Sequence, residues 1–129
     1  MSLTSTESKQ FVGRYLQALS GQAKTASLIE RFVSDPSLVE HIRQAEAAFP
    51  GYELIADDLV ADGTVVAMRG TFSGVHRGEF AGIGATGRTV SAPLMIFYRI
   101  EDDRIGAHWM QFDAGAVIAQ LTQPSVAHS

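Results

Sequence analysis

The sequence predicts an α+β fold, in which helices come first and an antiparallel sheet follows. Two observations support this prediction. Apolar residues recur every three or four positions up to Phe49, which is the period of a helix, and from Tyr52 onward they alternate every second position, which is the period of a strand. Short turn sequences separate the later segments, and this is typical of neighbouring antiparallel strands.

Three helices are expected in the N-terminal half of the chain. Thr4 and Glu7 have the spacing of a capping box, and the apolar residues that follow lie on one face of a helix. The third helix begins with a capping Ser34 or Asp35 and with Pro36, a residue that suits the first helical position. The expected helices run from Thr4 to Ser20-Gly21, over roughly 24–33, and from Ser34-Asp35-Pro36 to Pro50-Gly51.

Four strands and a closing helix are expected in the C-terminal half. Asp62-Gly63 and Glu101-Asp102-Asp103 are short turns that join strands directly, whereas a loop with five glycines occupies 73–87. The helices would then pack on one face of this sheet. The expected strands are Tyr52–Ala61, Thr64–Phe72, Arg88–Ile100 and Arg104–Asp113, and the closing helix covers about 114–121.

Composition limits the class of protein. A chain of 129 residues is expected to form one domain over 1–129, with a flexible tail at about 122–129. It contains no cysteine, which favours a reducing, cytoplasmic location, and no apolar run near the roughly 20 residues that span a membrane. With a formal net charge of -4 and scattered basic residues, it is not expected to bind nucleic acid.

The segment Gly82-Ile83-Gly84-Ala85-Thr86-Gly87 has the spacing of the dinucleotide-binding motif G-x-G-x-x-G. That motif needs a preceding strand and a following helix, because the N-terminus of the helix holds the pyrophosphate. Here the glycines lead into a strand-like run in which Pro93 opposes a helix. We therefore expect no nucleotide cofactor, and we interpret the glycines as bends of a loop.

The last strand carries the first candidate for chemistry. Regular alternation places Trp109, Gln111 and Asp113 on one face together with Ile105, and places His108 on the opposite face. A carboxylate at the end of an apolar stripe is expected to be desolvated, which raises its pKa and suits it to proton transfer. The alternative is that Asp113 caps the closing helix. The residues alone leave both interpretations open.

The other candidates are weaker. His76 lies in the glycine-rich loop, where a histidine is usually solvated, although it is a suitable residue type for proton shuttling. His41 is interpreted as an ordinary helix residue, and His128 as part of the tail. No H-x-H or H-x-x-x-H pair occurs, so no metal is expected. Lys9 and Lys24 have polar neighbours, which disfavours a Schiff-base mechanism.

Four segments of the second half form a recognisable combination. They are Gly74-Val75-His76-Arg77-Gly78-Glu79-Phe80, Thr86-Gly87-Arg88, Phe97-Tyr98-Arg99-Ile100, and His108-Trp109 with Asp113. Together they resemble the SnoaL-like polyketide cyclases of the NTF2-like superfamily, and the similarity extends over about residues 6–121. The resemblance implies a cone, in which a strongly curved antiparallel sheet wraps around the N-terminal helices and leaves a pocket at its open end.

The resemblance also implies roles for the candidate residues. In these cyclases an aspartate of the last strand is the acid/base of an intramolecular aldol closure that needs no metal and no Schiff base. Asp113 matches this aspartate, Trp109 matches a pocket aromatic, and His76 matches the loop histidine. Gln111 and Phe97 are expected to line the same pocket.

The function that follows is a cofactor-independent aldol-type cyclisation, or related proton transfer, on a small apolar carbonyl compound. The protein is expected to be a cytoplasmic homodimer that associates through the outer face of its sheet. Two alternatives stay open because this fold supports several functions. One is a non-catalytic binding or interaction module, and the other is a lyase, isomerase or epoxide hydrolase with the same fold.

Overall fold

The structure is a computed structural model that describes residues 3–123. Its helices are α1 Ser5–Leu19, α2 Ala26–Phe32, α3 Pro36–Ala48 and α4 Ala114–Thr122, and its strands are β1 Glu53–Asp62, β2 Val65–Val75, β3 Thr89–Glu101 and β4 Arg104–Phe112. The predicted helices and strands are therefore confirmed in type and order. His128 and most of the tail expected at about 122–129 lie outside the described residues, so the tail and the single domain over 1–129 stay predictions.

Two helices begin at the capping residues that the sequence indicates. The hydroxyl of Thr4 accepts the N–H of Glu7 at 3.1 Å, and the Glu7 carboxylate accepts the N–H of Thr4 at 2.9 Å, which completes the capping box. Of the two candidates at the start of α3, Asp35 is the N-cap, and it accepts the N–H of Ser37 at 2.9 Å. This cap fixes the position of the Asp35 carboxylate.

The strands form one antiparallel sheet in the order β1-β2-β3-β4. Along β3 the even-numbered side chains from Val90 to Ile100 are buried and the odd-numbered ones are exposed, so one face packs on the helices and the other faces outward. The pairing is irregular between Ala56 and Asp58 in β1 and between Arg99 and Ile100 in β3, and such irregularities add curvature. The result is the α+β fold that was expected, in which the concave face of a curved sheet packs against the helices.

A bulge in β4 changes which of its side chains point toward the helices. The pairing with β3 shifts at Gly106, which is the extra residue. Ile105, before the bulge, is fully buried. After the bulge the inward side chains are the even-numbered ones, beginning with His108, and Trp109 is half exposed on the outer face. The continuous face expected from Ile105 to Asp113 is therefore divided.

The glycine-rich segment forms a loop and a turn. Phe80 and Ile83 exchange backbone hydrogen bonds of 3.0 and 2.8 Å, and Gly82 between them has a φ of 80°. Gly87 has a φ of 72°, and the chain then enters β3 rather than a helix. Positive φ values favour glycine, so the prediction that these glycines bend a loop is confirmed.

Candidate active site

An apolar cavity of about 100 Å³ lies between the concave face of the sheet and the helices. Aliphatic side chains such as Ile42 and Leu94 form part of its wall. Among the described residues that line it, His41 of α3 is the one histidine, and none is an Asp, Glu, Lys or Arg. The aromatic residues that line the cavity are Tyr15, Phe49, Tyr52, Phe72, Phe80, Tyr98 and Phe112.

Asp35 and His108 form a largely buried hydrogen-bonded pair. Nδ1 of His108 donates to Oδ2 of Asp35 at 2.7 Å, and the side chains are only 4% and 12% exposed, respectively. Burial opposes the ionisation of Asp35. The hydrogen bonds from His108 and from the backbone N–H groups of Ser37 and Leu38, together with the charge of His108, outweigh burial, so the pKa of Asp35 is lowered. Asp35 is therefore an ionised acceptor at neutral pH.

His41 connects this pair to the cavity. Its Nδ1 lies 3.1 Å from Nε2 of His108, and the two rings meet edge to face with centroids 5.1 Å apart. In its neutral form His108 keeps its proton on Nδ1, where ionised Asp35 accepts it, so its Nε2 is an acceptor and Nδ1 of His41 is the donor. In neutral His41 the lone pair then lies on Nε2. We refer to these three hydrogen-bonded side chains as the Asp35–His108–His41 relay.

The relay can accept a proton and return it. When Nε2 of His41 takes a proton, the proton on its Nδ1 can move to Nε2 of His108. The resulting His108 imidazolium lies against the Asp35 carboxylate, which stabilises the charge through an ionic hydrogen bond. The arrangement is therefore suited to general acid/base catalysis on a molecule in the cavity.

Asp113 lies at the start of α4 and does not line the cavity. Its Oδ1 accepts the N–H of Ala116 at 2.9 Å, so the helix-cap interpretation is confirmed. The residue is exposed, and the expected desolvation is wrong because the bulge at Gly106 divides the apolar stripe on which that expectation depended. The catalytic role that the resemblance implies for Asp113 stays a prediction.

Trp109, Gln111 and Phe97 lie on the convex face of the sheet. Trp109 and Phe97 are directly paired across β3 and β4, and each is 51% exposed. Gln111 and Asp113 border a shallow groove of about 390 Å³ on the same face. The expectation that these side chains line the apolar cavity is corrected, since their inward-facing neighbours on the same strands line it instead.

His76 is fully buried and is held by its own loop, so the expectation of a solvated loop histidine is wrong. The N–H of Thr86 donates to Nδ1 of His76 at 3.1 Å, and the Thr86 hydroxyl lies 2.9 Å from the same nitrogen. The backbone N–H of His76 donates to the carbonyl of Arg88, and the N–H of Gly87 donates to the carbonyl of His76, both at 2.8 Å. Within residues 3–123, His76 makes no hydrogen bond to Asp113 or to the relay, and its catalytic role stays a prediction.

Packing explains the sequence motif around His76. The ring of His76 lies on that of Phe49, with centroids 5.5 Å apart. A side chain at Gly78 would collide with the carbonyl of Ala47 in α3, because the loop crosses the end of that helix closely. The loop also places Phe80 in the cavity wall, where the centroid of its ring lies 5.4 Å from that of Phe49. The motif therefore fixes the loop that closes one end of the cavity.

The sequence interpretation missed the three residues of the relay as a site. It assigned His108 to the outward face, His41 to an ordinary helix position, and Asp35 to a cap. Gly106 was the available signal, because a glycine inside a strand pattern indicates a bulge. Counting that bulge would have placed His108 on the same face as the buried residues of β3.

The described residues contain neither a cluster of potential metal ligands nor a membrane-spanning helix. Between residues 3 and 123 there is no group of three or more His, Cys, Asp or Glu side chains that could hold a metal ion. No helix in this part of the chain has both the length and the apolar character needed to cross a membrane. The expected independence from metal and the expected cytoplasmic location stay predictions.

The fold and the cavity define the class of protein: an α+β domain whose curved sheet and helices enclose an apolar site of small-molecule size. The family model described as SnoaL-like polyketide cyclase matches residues 7–121. The chain therefore belongs to the SnoaL-like polyketide cyclase family. A search of curated proteins finds no match.

Solved structures with this fold cover nearly the whole chain. TsrD from Streptomyces laurentii is 26% identical, with a TM-score of 0.76 over 93% of this chain and 98% of that one. AclR, a candidate hydroxylase from Streptomyces galilaeus, is 24% identical, with a TM-score of 0.78 over 95% and 86%. A SnoaL-like polyketide cyclase from Agrobacterium tumefaciens is 24% identical, with a TM-score of 0.71 over 92% and 98%. These similarities establish the fold.

Proposed function

We propose that this protein is a cofactor-independent acid/base enzyme that acts on a small apolar carbonyl compound. The Asp35–His108–His41 relay is the observation that carries the proposal, because it joins a buried carboxylate to a cavity with a mostly apolar wall. Electrostatic interactions are stronger where water is excluded. Membership of a polyketide cyclase family supports a carbonyl compound as the ligand.

The proposed reaction begins at a carbon next to a carbonyl group. Nε2 of His41 accepts the proton, and the C–H electron pair forms an enolate. The enolate carbon attacks a second carbonyl of the same molecule and closes a ring. The proton held by the relay then returns to the new alkoxide, so atoms and charge balance without a metal, a Schiff base or a redox partner.

Hydrogen–deuterium exchange at the α-carbon of cyclohexanone tests the chemical step without the natural substrate. In D₂O the wild-type protein is expected to accelerate exchange, which proton NMR follows directly. His108→Gln and Asp35→Asn are expected to lose about 10²- to 10⁴-fold of the catalysed exchange, the usual contribution of general acid/base catalysis. Exchange that is unchanged in both variants would contradict the proposal.

Asp113→Asn is the matched comparison in that experiment. If the relay is the base, Asp113→Asn catalyses α-proton exchange at the wild-type rate, since Asn is also a good helix cap. If Asp113 is the acid/base, as the family resemblance implies, this variant loses exchange and the relay variants keep it. The two assignments therefore predict opposite results.

A non-catalytic binding module is the second candidate function. It is favoured by the scarcity of charged or basic groups in the cavity wall, where His41 is the one histidine among the described lining residues and no Asp, Glu, Lys or Arg is among them. Saturable binding of cyclohexanone without exchange above the uncatalysed rate would support this candidate. A lyase, isomerase or epoxide hydrolase would use the same relay on a different ligand.

We also propose that two copies associate through the convex face of the sheet. Val60, Phe97 and Trp109 lie in one row across the paired strands and are 66%, 51% and 51% exposed. Met95, at 57% exposure, extends this apolar patch. Contiguous exposed apolar surface is typical of an interaction site.

Sedimentation equilibrium tests this association. The wild-type protein is expected to be a dimer, and the double variant Phe97→Ser/Trp109→Ser a monomer that still binds cyclohexanone, because neither residue lines the cavity. A wild-type protein that stays monomeric at every concentration, or a double variant that stays dimeric, would contradict the proposed interface.

A further inference from the structure

Tyr98 lies in β3 on the concave face of the sheet, where it is fully buried and lines the cavity. Its paired residue on β4 is His108. Directly paired residues on one face of a sheet have Cβ atoms about 5 Å apart, so Tyr98 is an immediate neighbour of the relay. The ring packs edge to face on Tyr15, with centroids 5.7 Å apart.

The hydroxyl group of Tyr98 is buried and has no hydrogen-bond partner among the described residues. Buried polar groups nearly always have a partner, and phenylalanine would fill the same space without an unpaired hydroxyl. Burial, with a smaller contribution from the nearby phenol of Tyr52, raises the pKa of Tyr98 far above its ordinary value. The phenol therefore keeps its proton and is available as a hydrogen-bond donor.

The size of the cavity limits what this donor can bind. The volume is about 100 Å³, somewhat below that of an apolar cavity of about 150 Å³ known to hold benzene. The enclosed space therefore admits no more than one six-membered ring. Any larger part of a ligand would lie outside, on the side where His41 is exposed.

We propose that the Tyr98 hydroxyl is the oxygen-binding group of the cavity, and that the ligand part bound there is a single six-membered ring carrying a carbonyl group. This inference rests on the proposed function and assigns the ligand class of the same site. It also gives Tyr98 a direct role, because its O–H contacts the oxygen at which negative charge develops.

The chemical step with this residue balances. Tyr98 donates a hydrogen bond to the carbonyl oxygen while Nε2 of His41 removes the α-proton. The C–H electron pair becomes the new C=C bond and the C=O π pair moves onto oxygen, where the hydroxyl of Tyr98 stabilises the enolate. Return of the proton to carbon restores the ketone.

Two probes of nearly the same shape separate the hydrogen bond from simple filling of the cavity. Cyclohexanone carries an oxygen, and methylenecyclohexane has a CH₂ group in its place. Affinities are measured by titrating each probe into protein labelled for amide NMR. In Tyr98→Phe the affinity for cyclohexanone is expected to fall about 3- to 10-fold, the usual effect of one neutral hydrogen bond, and the affinity for methylenecyclohexane to stay unchanged.

Tyr15→Phe is the control, because it removes a phenol hydroxyl from the same cavity. It is expected to keep the wild-type preference for cyclohexanone. Tyr98→Phe is expected to be at least as stable as the wild type in urea, since it removes an unpaired buried hydroxyl. Loss of affinity can therefore not arise from unfolding.

The inference is overturned if neither probe binds the wild type, if Tyr98→Phe keeps full affinity for cyclohexanone, or if it loses affinity for both probes equally. The readout needs no turnover, so it separates this inference from the proposed function. A Tyr98-dependent preference for the ketone without α-proton exchange would retain the inference and reject the enzyme. Catalysed α-proton exchange that does not depend on Tyr98 would retain the proposed enzyme and reject this inference.

Discussion

His76 and His108 are both shielded from solvent, yet their hydrogen-bond partners give them different capacities. Nδ1 of His76 accepts from Thr86 of its own loop, and its Nε2 has no partner among residues 3–123. Both nitrogens of His108 are engaged, one by the carboxylate of Asp35 and the other by the imidazole of His41. The first set of contacts holds a backbone segment, and the second can pass a proton. Burial of a histidine is therefore less informative than the identity of its partners.

The largest effects are expected in the relay, of which His41 is the end at the cavity. His41→Phe should lower catalysed α-proton exchange of cyclohexanone about 10²- to 10⁴-fold, because it removes the base. The variant should stay folded, because His41 is exposed and its loss removes one hydrogen bond, which contributes about 0.5–1.5 kcal/mol to the free energy of unfolding in urea. If His41→Phe catalyses α-proton exchange at the wild-type rate, His41 is not the base.

Substitution of His76 should affect stability rather than chemistry. His76→Ala leaves a cavity beside Phe49 and removes the acceptor for Thr86, so we expect a loss of about 2–4 kcal/mol in the free energy of unfolding. His76→Asn, whose Oδ1 can replace Nδ1 as the acceptor, should lose less. Urea denaturation measures both, and an Ala variant as stable as the wild type would show that the loop does not depend on this contact.

The dependence of stability on pH should distinguish Asp35. Its folded-state pKa is lowered, so the carboxylate contributes stability above its ordinary pKa of 3.8, and this contribution is lost as pH falls through the lower folded value. The wild type should therefore be more stable than Asp35→Asn near neutral pH, and the difference should shrink below about pH 4. Urea midpoints between pH 3 and pH 7 give the comparison. A difference that does not vary with pH would contradict the ionised Asp35.

Asp113 should give the smallest effect. Asp113→Ala is expected to lose about 1 kcal/mol of unfolding free energy through the lost cap of α4, and Asp113→Asn only a few tenths. Both variants should catalyse α-proton exchange of cyclohexanone at the wild-type rate. Thermal unfolding and the NMR exchange assay check the two parts separately, and slower exchange in either variant would restore Asp113 as the acid/base candidate.

Local signals were sufficient to predict the elements of the fold. The capping box at Thr4 and Glu7 and the capping Asp35 mark helix starts because they act over three residues or fewer. The alternation along β3 is strict because one face is buried over the whole strand. Interactions of this kind can be read from neighbouring residues.

The candidate site could not be predicted in the same way. His108 is 73 residues from Asp35 and 67 from His41, and the three meet only because the fold brings β4 next to α3 and its N-cap. The inward direction of His108 also depends on one extra residue, Gly106, which reverses the alternation of β4. A regular strand would have placed Trp109 and Asp113 inward, as the sequence interpretation assumed.

The most direct test of the relay is the tautomeric state of its histidines, read from the ¹⁵N chemical shifts of the ring nitrogens at about pH 8, above the ordinary histidine pKa of about 6.5. The relay predicts that His108 and His41 carry their proton on Nδ1, whereas His76 carries it on Nε2. Asp35→Asn should change the His108 signals and leave those of His76 in place. A His108 ring protonated on Nε2 alone would contradict the account, because it could not donate to Asp35.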